Sequence, residues 1–140
     1  VVPNLLVEDV ADVIRESNAV KIYVCNIMTK PGESDGFASS DFTRLVQEYL
    51  NTNVPLDYVL INNAPFPERT LRKYTAYGQY PVAIDAEQTQ TIAARVVQRP
   101  LVSAGIYLRH DPVLLAKAIM AIIQEAQPAS SASVAGGMLS

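Results

Sequence analysis

The feature that most constrains this chain is a repeated unit: a short run of β-branched and aromatic residues, a polar loop, and a stretch with helical periodicity. Lys21 to Cys25 (KIYVC) is the first such run, and Asp57 to Ile61 (DYVLI) is the second. Each is nearly all apolar, as a strand buried on both faces requires. Between them, Phe42, Leu45, Val46, Tyr49 and Leu50 recur at i, i+3, i+4, i+7 and i+8, the stripe of an amphipathic helix. Ser39 or Ser40 is placed to cap that helix, and Asp41 falls in its first turn against the positive helix end. Strand, helix and strand in succession predict a parallel sheet with helices on its faces.

The flanking segments extend the pattern. Leu6, Val10, Val13 and Ile14 predict one amphipathic helix between Leu5 and Ser17. After DYVLI come Asn62 and Asn63 and then Pro65 and Pro67, which cannot continue a ladder, so a loop opens there. Glu68 to Tyr74 reads as a short helix, Pro81 to Ile84 as a third short strand, and Arg95 to Val97 as a fourth. Asp111 before Pro112 is a cap followed by proline at the first helical position. The helix it starts carries Val113, Leu114, Leu115, Ala118, Ile119, Ile122 and Ile123. Residues 1–126 are thus read as one folded part, and 127–140, rich in Ala, Ser and Gly, as a disordered tail.

Composition excludes some functions. A net charge of -3 with scattered Lys and Arg lacks the basic field that nucleic-acid backbones require, so no nucleic-acid partner is expected. No apolar stretch approaches the roughly twenty residues of a membrane span, and no signal peptide opens the chain, so no membrane partner and a cytoplasmic location are expected. The single cysteine, Cys25, has no partner for a disulfide or a zinc knuckle and reads as a structural thiol. Glu33 and Asp35 alone make a poor magnesium site, so neither metal nor cofactor is expected. His110 is set aside as a catalytic group, because Asp111 beside it is better used as a cap. Tyr74, Tyr77 and Tyr80, three residues apart, are expected to build one packed helical face.

In open parallel sheets, ligands gather beyond the carboxyl ends of the strands. Two loops there are unusually polar: Cys25 to Phe37 (CNIMTKPGESDGF) and Asn62 to Pro65 (NNAP). Their asparagines can bond a base edge or ribose, and Gly32 and Gly36 would let backbone N–H groups approach a phosphate. The same residues can equally form an ordered loop whose polar groups satisfy one another and cap the next helix. The pattern leaves both open.

The segment CNIMTKPGESDGFASSD resembles the CNxMTxxGETDGYTAxD stretch of the CofD-like superfamily, in its YvcK or gluconeogenesis-factor branch. The likeness runs back through PNLLVEDVADVIRESNAVKIYV and forward through RKYTAYGQYPVAID and LRHDPVLLAKAI, covering residues 1 to about 125. Relatives carry a GPGSLYTS-type loop and a GGGTGL turn upstream, so the chain is expected to be the C-terminal portion of a larger domain. The resemblance implies a Rossmann-like three-layer α/β fold. It further implies a non-catalytic regulatory protein that binds UDP-sugars such as UDP-N-acetylglucosamine or UDP-glucose and acts on gluconeogenic growth, cell shape and wall synthesis. The alternative is a transferase of the 2-phospho-L-lactate transferase type using a nucleotide-activated donor. Carried over residue by residue, the ligand-facing loop comprises Asn26, Met28, Thr29, Gly32, Glu33, Asp35 and Gly36. Phe37 stands where relatives have Tyr and lacks its hydroxyl, and Ser34 replaces Thr. Asn62, from the second loop, joins this set. Arg69, Arg72 and Tyr74 correspond to a basic and aromatic segment that could reach a phosphate. A half-sheet with open edges is also expected to self-associate into a homo-oligomer.

Overall fold

The computed structural model describes residues 2–51, 53–103, 105 and 107–127. The expected tail from residue 128 onward lies outside them. Three parallel strands form one sheet in the order β1-β2-β3: β1 (Ile22–Val24), β2 (Leu56–Asn62) and β3 (Ala93–Arg99). Tyr23 lies opposite Val59, and Val59 opposite Val96, while Leu60 lies between Val24 and Val97. This register sends alternate residues to opposite faces. Tyr23, Cys25, Val59, Ile61 and Val96 join one core cluster; Ile22, Val24, Tyr58, Leu60 and Val97 join the other.

Helices cover both faces. On the first, α1 (Val2–Leu5) inserts the buried Leu5. Beside it, α3 (Ser39–Leu50) buries Phe42, Val46 and Leu50, the i, i+4, i+8 positions of its stripe. On the second, α6 (Pro112–Ala126) buries Ala118 and Ile122 against Tyr58, Leu60 and Leu101. Asp111 caps α6 as expected, its Oδ1 accepting from the backbone N–H groups of Val113 and Leu114 at 2.9 and 3.1 Å. Two crossovers, one through α3 and one through α4 (Glu68–Thr75) and α5 (Ala86–Gln90), complete a Rossmann-like α/β arrangement of helix, sheet and helix layers. Among the described residues no helix is long and apolar enough to cross a membrane.

Four expectations are corrected. The helix read between Leu5 and Ser17 is broken in two: Asp9 adopts a left-handed conformation (φ 68°), and α2 (Val10–Glu16) starts after it. Aspartate tolerates that conformation better than most residues, so no glycine announces the break. Pro81–Ile84 is extended but belongs to no sheet. Its backbone is stitched to loops, through Val82 N–H to Ile27 O (2.9 Å) and Ser39 N–H to Ala83 O (2.8 Å). Neither Ser39 nor Ser40 caps α3. Ala38 is the capping residue, and the Asp41 carboxylate reaches back to the Ala38 N–H at 2.8 Å. The tyrosines form no common face, for the Tyr74 hydroxyl accepts from Leu108 N–H (3.0 Å) while Tyr77 is 81% and Tyr80 55% exposed.

Candidate functional site

At the carboxyl end of β1 the ladder closes with Cys25 N–H to Leu60 O at 2.9 Å, and the polar loop begins. Its first residue, Asn26, is exposed, yet its carbonyl Oδ1 accepts from the buried Tyr23 hydroxyl at 3.2 Å. From there the loop folds on itself. The Thr29 backbone N–H bonds Tyr80 O at 2.8 Å and its Oγ1 accepts from Tyr80 N–H at 3.1 Å, which buries Thr29. Ser34 Oγ accepts from Lys30 N–H and the Asp35 carboxylate from Gly32 N–H, both at 2.8 Å. Lys30 and Glu33 pair at 3.0 Å in water. Gly32 and Gly36 sit at φ +77° and +73°, the left-handed conformation that the turn demands and that side chains resist. Phe37 then folds inward, edge to face on Phe42 with centroids 5.2 Å apart.

The loop after β2 is held by one side chain. Asn62 is buried, its Oδ1 accepting from Ala64 N–H (3.1 Å) and Leu101 N–H (2.9 Å) while its Nδ2 donates to Ala64 O (3.2 Å). It thus ties the ends of β2 and β3 together and spends its polar atoms doing so. On α4, Arg72 pairs with Glu68 on an exposed face, and Arg69 is exposed.

These elements leave two neighbouring cavities. The larger, about 420 Å³, has a polar rim of Asn26, Lys30, Glu33 and Ser34 over an apolar floor that includes Tyr23 and Phe37. The smaller, about 80 Å³, lies between Asn26, Asn62, Asn63, Phe66 and Ile84. Asn26 lines both. Of the residues singled out from sequence, Asn26, Glu33 and Phe37 therefore converge on one cavity, with Asn62 across the other. Met28, Thr29, Gly32, Asp35 and Gly36 shape the loop without lining either cavity, and Arg69, Arg72 and Tyr74 stand apart on α4. A still larger groove of about 540 Å³ runs along the outer edge of β1 under Leu5, Val13, Val20 and Ile22; its lining is mostly apolar, and it shares Tyr23 and Val46 with the polar-rimmed cavity.

Asp85 is a residue that the sequence reading overlooked. Its Oδ1 accepts from Ser39 Oγ (2.7 Å) and Ser40 N–H (2.8 Å), its Oδ2 accepts from Ser40 Oγ, and its own N–H donates to Ser39 Oγ (3.2 Å). Thr89 Oγ1, wholly buried, lies 2.9 Å from Ser39 Oγ. Partial burial pushes the Asp85 carboxyl up, but the Ser40 and Ser39 hydroxyls and the Ser40 amide outweigh it and hold the pKa below the ordinary value. An internal carboxylate thus occupies the N-terminus of α3, where the glycine-containing loop after β1 ends. The sequence signal for it was an aspartate directly before the helical stretch Ala86–Gln90.

Burial pushes the Cys25 thiol up to about 12 and raises the Tyr23 phenol as well, so both stay neutral at ordinary pH. His110 is half-buried, and loss of water lowers its pKa against the opposing pull of the Cys25 backbone. Among the described residues, no group of three or more His, Cys, Asp or Glu could hold a metal ion.

Residues 1–102 match the family model described as 2-phospho-L-lactate transferase CofD. A Bacillus subtilis protein named gluconeogenesis factor is 27% identical over 126 residues, covering 89% of this chain and 39% of its own length. A Thermotoga maritima protein given the same name provisionally is 41% identical over 123 residues, covering 85% and 38%. The crystal structure of a UPF0052-family protein from Bacillus halodurans superimposes with a TM-score of 0.79 at 29% identity, over 86% of this chain and 38% of that one. The chain therefore spans about a quarter to two fifths of the length of the relatives it matches.

Proposed function

The chain belongs to the CofD family, in its gluconeogenesis-factor branch, and from that premise we propose that it contributes one wall of a UDP-sugar site in a regulatory protein of gluconeogenic growth and cell-wall synthesis. The observation that carries this reading is the convergence of two polar loops at the carboxyl ends of β1 and β2, with Asn26 between two cavities. That is where open parallel sheets hold nucleotides. The larger cavity joins an apolar floor to a few polar groups, the usual make-up of a small-molecule site. Lys30 on the rim supplies a cation for a diphosphate, at the cost of its exposed pair with Glu33, which contributes little.

Thr29, Asp35, Asn62 and Asp85 serve this site by fixing its walls. Their contacts are made to the backbone and to neighbouring hydroxyls, so the ligand contacts fall to Asn26 and Lys30 on the cavity rim. A transferase acting on a nucleotide-activated donor is the second reading, favoured by the description of the matching family model. Calorimetric titration of UDP-N-acetylglucosamine into the chain, beside Asn26→Ala, tests the first. Saturable binding that the substitution weakens is expected; no binding, or binding indifferent to the substitution, refutes it. Turnover of a guanylylated or uridylylated donor with an acceptor present would promote the second.

A further inference from the structure

Asn26 is the residue on which both cavities meet, and its side-chain amide has two ends of opposite hydrogen-bonding character. Which end faces the ligand decides what the ligand must offer. The orientation is set from behind, by Tyr23. Tyr23 is 5% exposed, and its hydroxyl lies 3.2 Å from the Asn26 Oδ1. A phenol oxygen has one proton to give and lone pairs to accept with. Here it is the carbonyl oxygen of Asn26, which can only accept, that faces the hydroxyl, so the phenol gives its proton to that end of the amide. The Asn26 NH2 group is thereby turned outward, toward the cavities.

We infer that Tyr23 is a positioning residue that makes Asn26 a hydrogen-bond donor to the ligand, so that the site selects a carbonyl oxygen and rejects an amino group at that point. This rests on the nucleotide-sugar reading for the identity of the ligand, though not for the orientation of the amide. Two carbonyls of a UDP-sugar could meet the donor: the ring carbonyl of uracil, which cytosine replaces by an amino group, and the acetyl carbonyl of an N-acetylated sugar. An amino group facing the Asn26 NH2 would leave two donors opposed and desolvated, which is the efficient way to reject a close analogue. The sequence hides the arrangement, because Tyr23 reads there as one more residue of a buried strand.

Two measurements test it. In the free protein, nuclear Overhauser contacts between the Asn26 side-chain amide protons and the Tyr23 ring should be absent, and should appear in Tyr23→Phe as the amide is released; strong contacts in the unaltered protein overturn the orientation. In binding, UDP-N-acetylglucosamine, UDP-glucose and CDP-glucose are titrated into the chain, Tyr23→Phe and Asn26→Ala. The unaltered chain should prefer UDP-glucose to CDP-glucose roughly tenfold, one hydrogen bond's worth. Asn26→Ala should abolish that preference, and Tyr23→Phe should reduce it several-fold while UDP-glucose still binds. If Asn26→Ala instead abolishes the preference for the acetylated over the plain sugar, the acetyl carbonyl is the acceptor and the donor role stands. An equal loss for all three ligands, or no change in either preference, overturns the inference. Failure of all three to bind the unaltered chain defeats the nucleotide-sugar reading and the selectivity with it, while the Overhauser contacts still decide the orientation.

Discussion

Asp85→Ala removes the polar anchor at the start of α3. The carboxylate receives the Ser39 hydroxyl, the Ser40 hydroxyl and the Ser40 N–H, and truncation leaves these donors facing a void. Ser39 is 0% and Ser40 4% exposed, so water cannot simply replace the lost acceptor. Hydrogen bonds to a charged group contribute about 1.5–3 kcal/mol each when one partner is removed. They are not additive, and Asp85 itself retains some contact with water, so a total of about 3 kcal/mol is expected rather than the sum. For a domain of this size that is a fall of about 10 °C in Tm. Urea unfolding followed by circular dichroism, with the same m-value for both proteins, measures it directly. The pH dependence supplies a second check. A folded pKa below the unfolded one means that the unfolded chain takes up the proton first as the pH drops. Stability from Asp85 is therefore complete above the ordinary carboxylate pKa near ~4 and is lost as the pH falls through the lower folded value. The gap between the two proteins should narrow in that acid range. A loss below about 0.5 kcal/mol at neutral pH, or a gap that persists unchanged in acid, would refute the account of Asp85 as a charged anchor.

Cys25, 1% exposed and with its thiol pushed up to about 12, should resist thiol reagents at pH 8 in the folded chain and react only at the rate of unfolding; rapid labelling of native protein would contradict its burial. Leu60→Ala should cost about 3–4 kcal/mol in urea unfolding, because Leu60 is 0% exposed between α6 and the centre of the sheet; a loss under 1 kcal/mol would mean that the second core face is loosely packed. Gly36→Ala should cost about 1 kcal/mol through backbone strain alone, since a Cβ there meets nothing within 4 Å while φ is +73°; Gly36→Asn should recover part of it, and an unchanged midpoint for Ala would show that the turn relaxes.

What could be read from sequence was what depends on neighbours along the chain. The KIYVC and DYVLI runs became β1 and β2 because a doubly buried parallel strand needs an unbroken apolar run, and nothing else in so short a segment satisfies that need. The Asp111-Pro112 cap worked for the same local reason. The failures each involve partners distant in sequence. Periodicity joined Leu6 to Val13 across Asp9, yet both side chains are largely exposed, so no buried stripe existed to keep that helix continuous. Residues 81–84 have strand-like composition but find their hydrogen bonds on the loop at Ile27 and at Ser39, more than forty positions away.

The same distinction separates the legible part of the candidate site from the hidden part. Asn26 and the glycine turn stand out in the primary sequence because a polar loop directly after a buried strand is a local signature. Tyr23 and Asp85 do not, because a tyrosine in a strand and an aspartate before a helix are both ordinary until their partners are known. Yet the proposed site depends on them: Asp85 holds the N-terminus of α3 with an internal carboxylate, which leaves that helix end already neutralised toward any phosphate. On the proposed reading, a diphosphate reaching this wall is met by Lys30 on the cavity rim. On the same reading, the selectivity of the wall falls to the exposed Asn26 amide, whose carbonyl end the buried Tyr23 phenol holds.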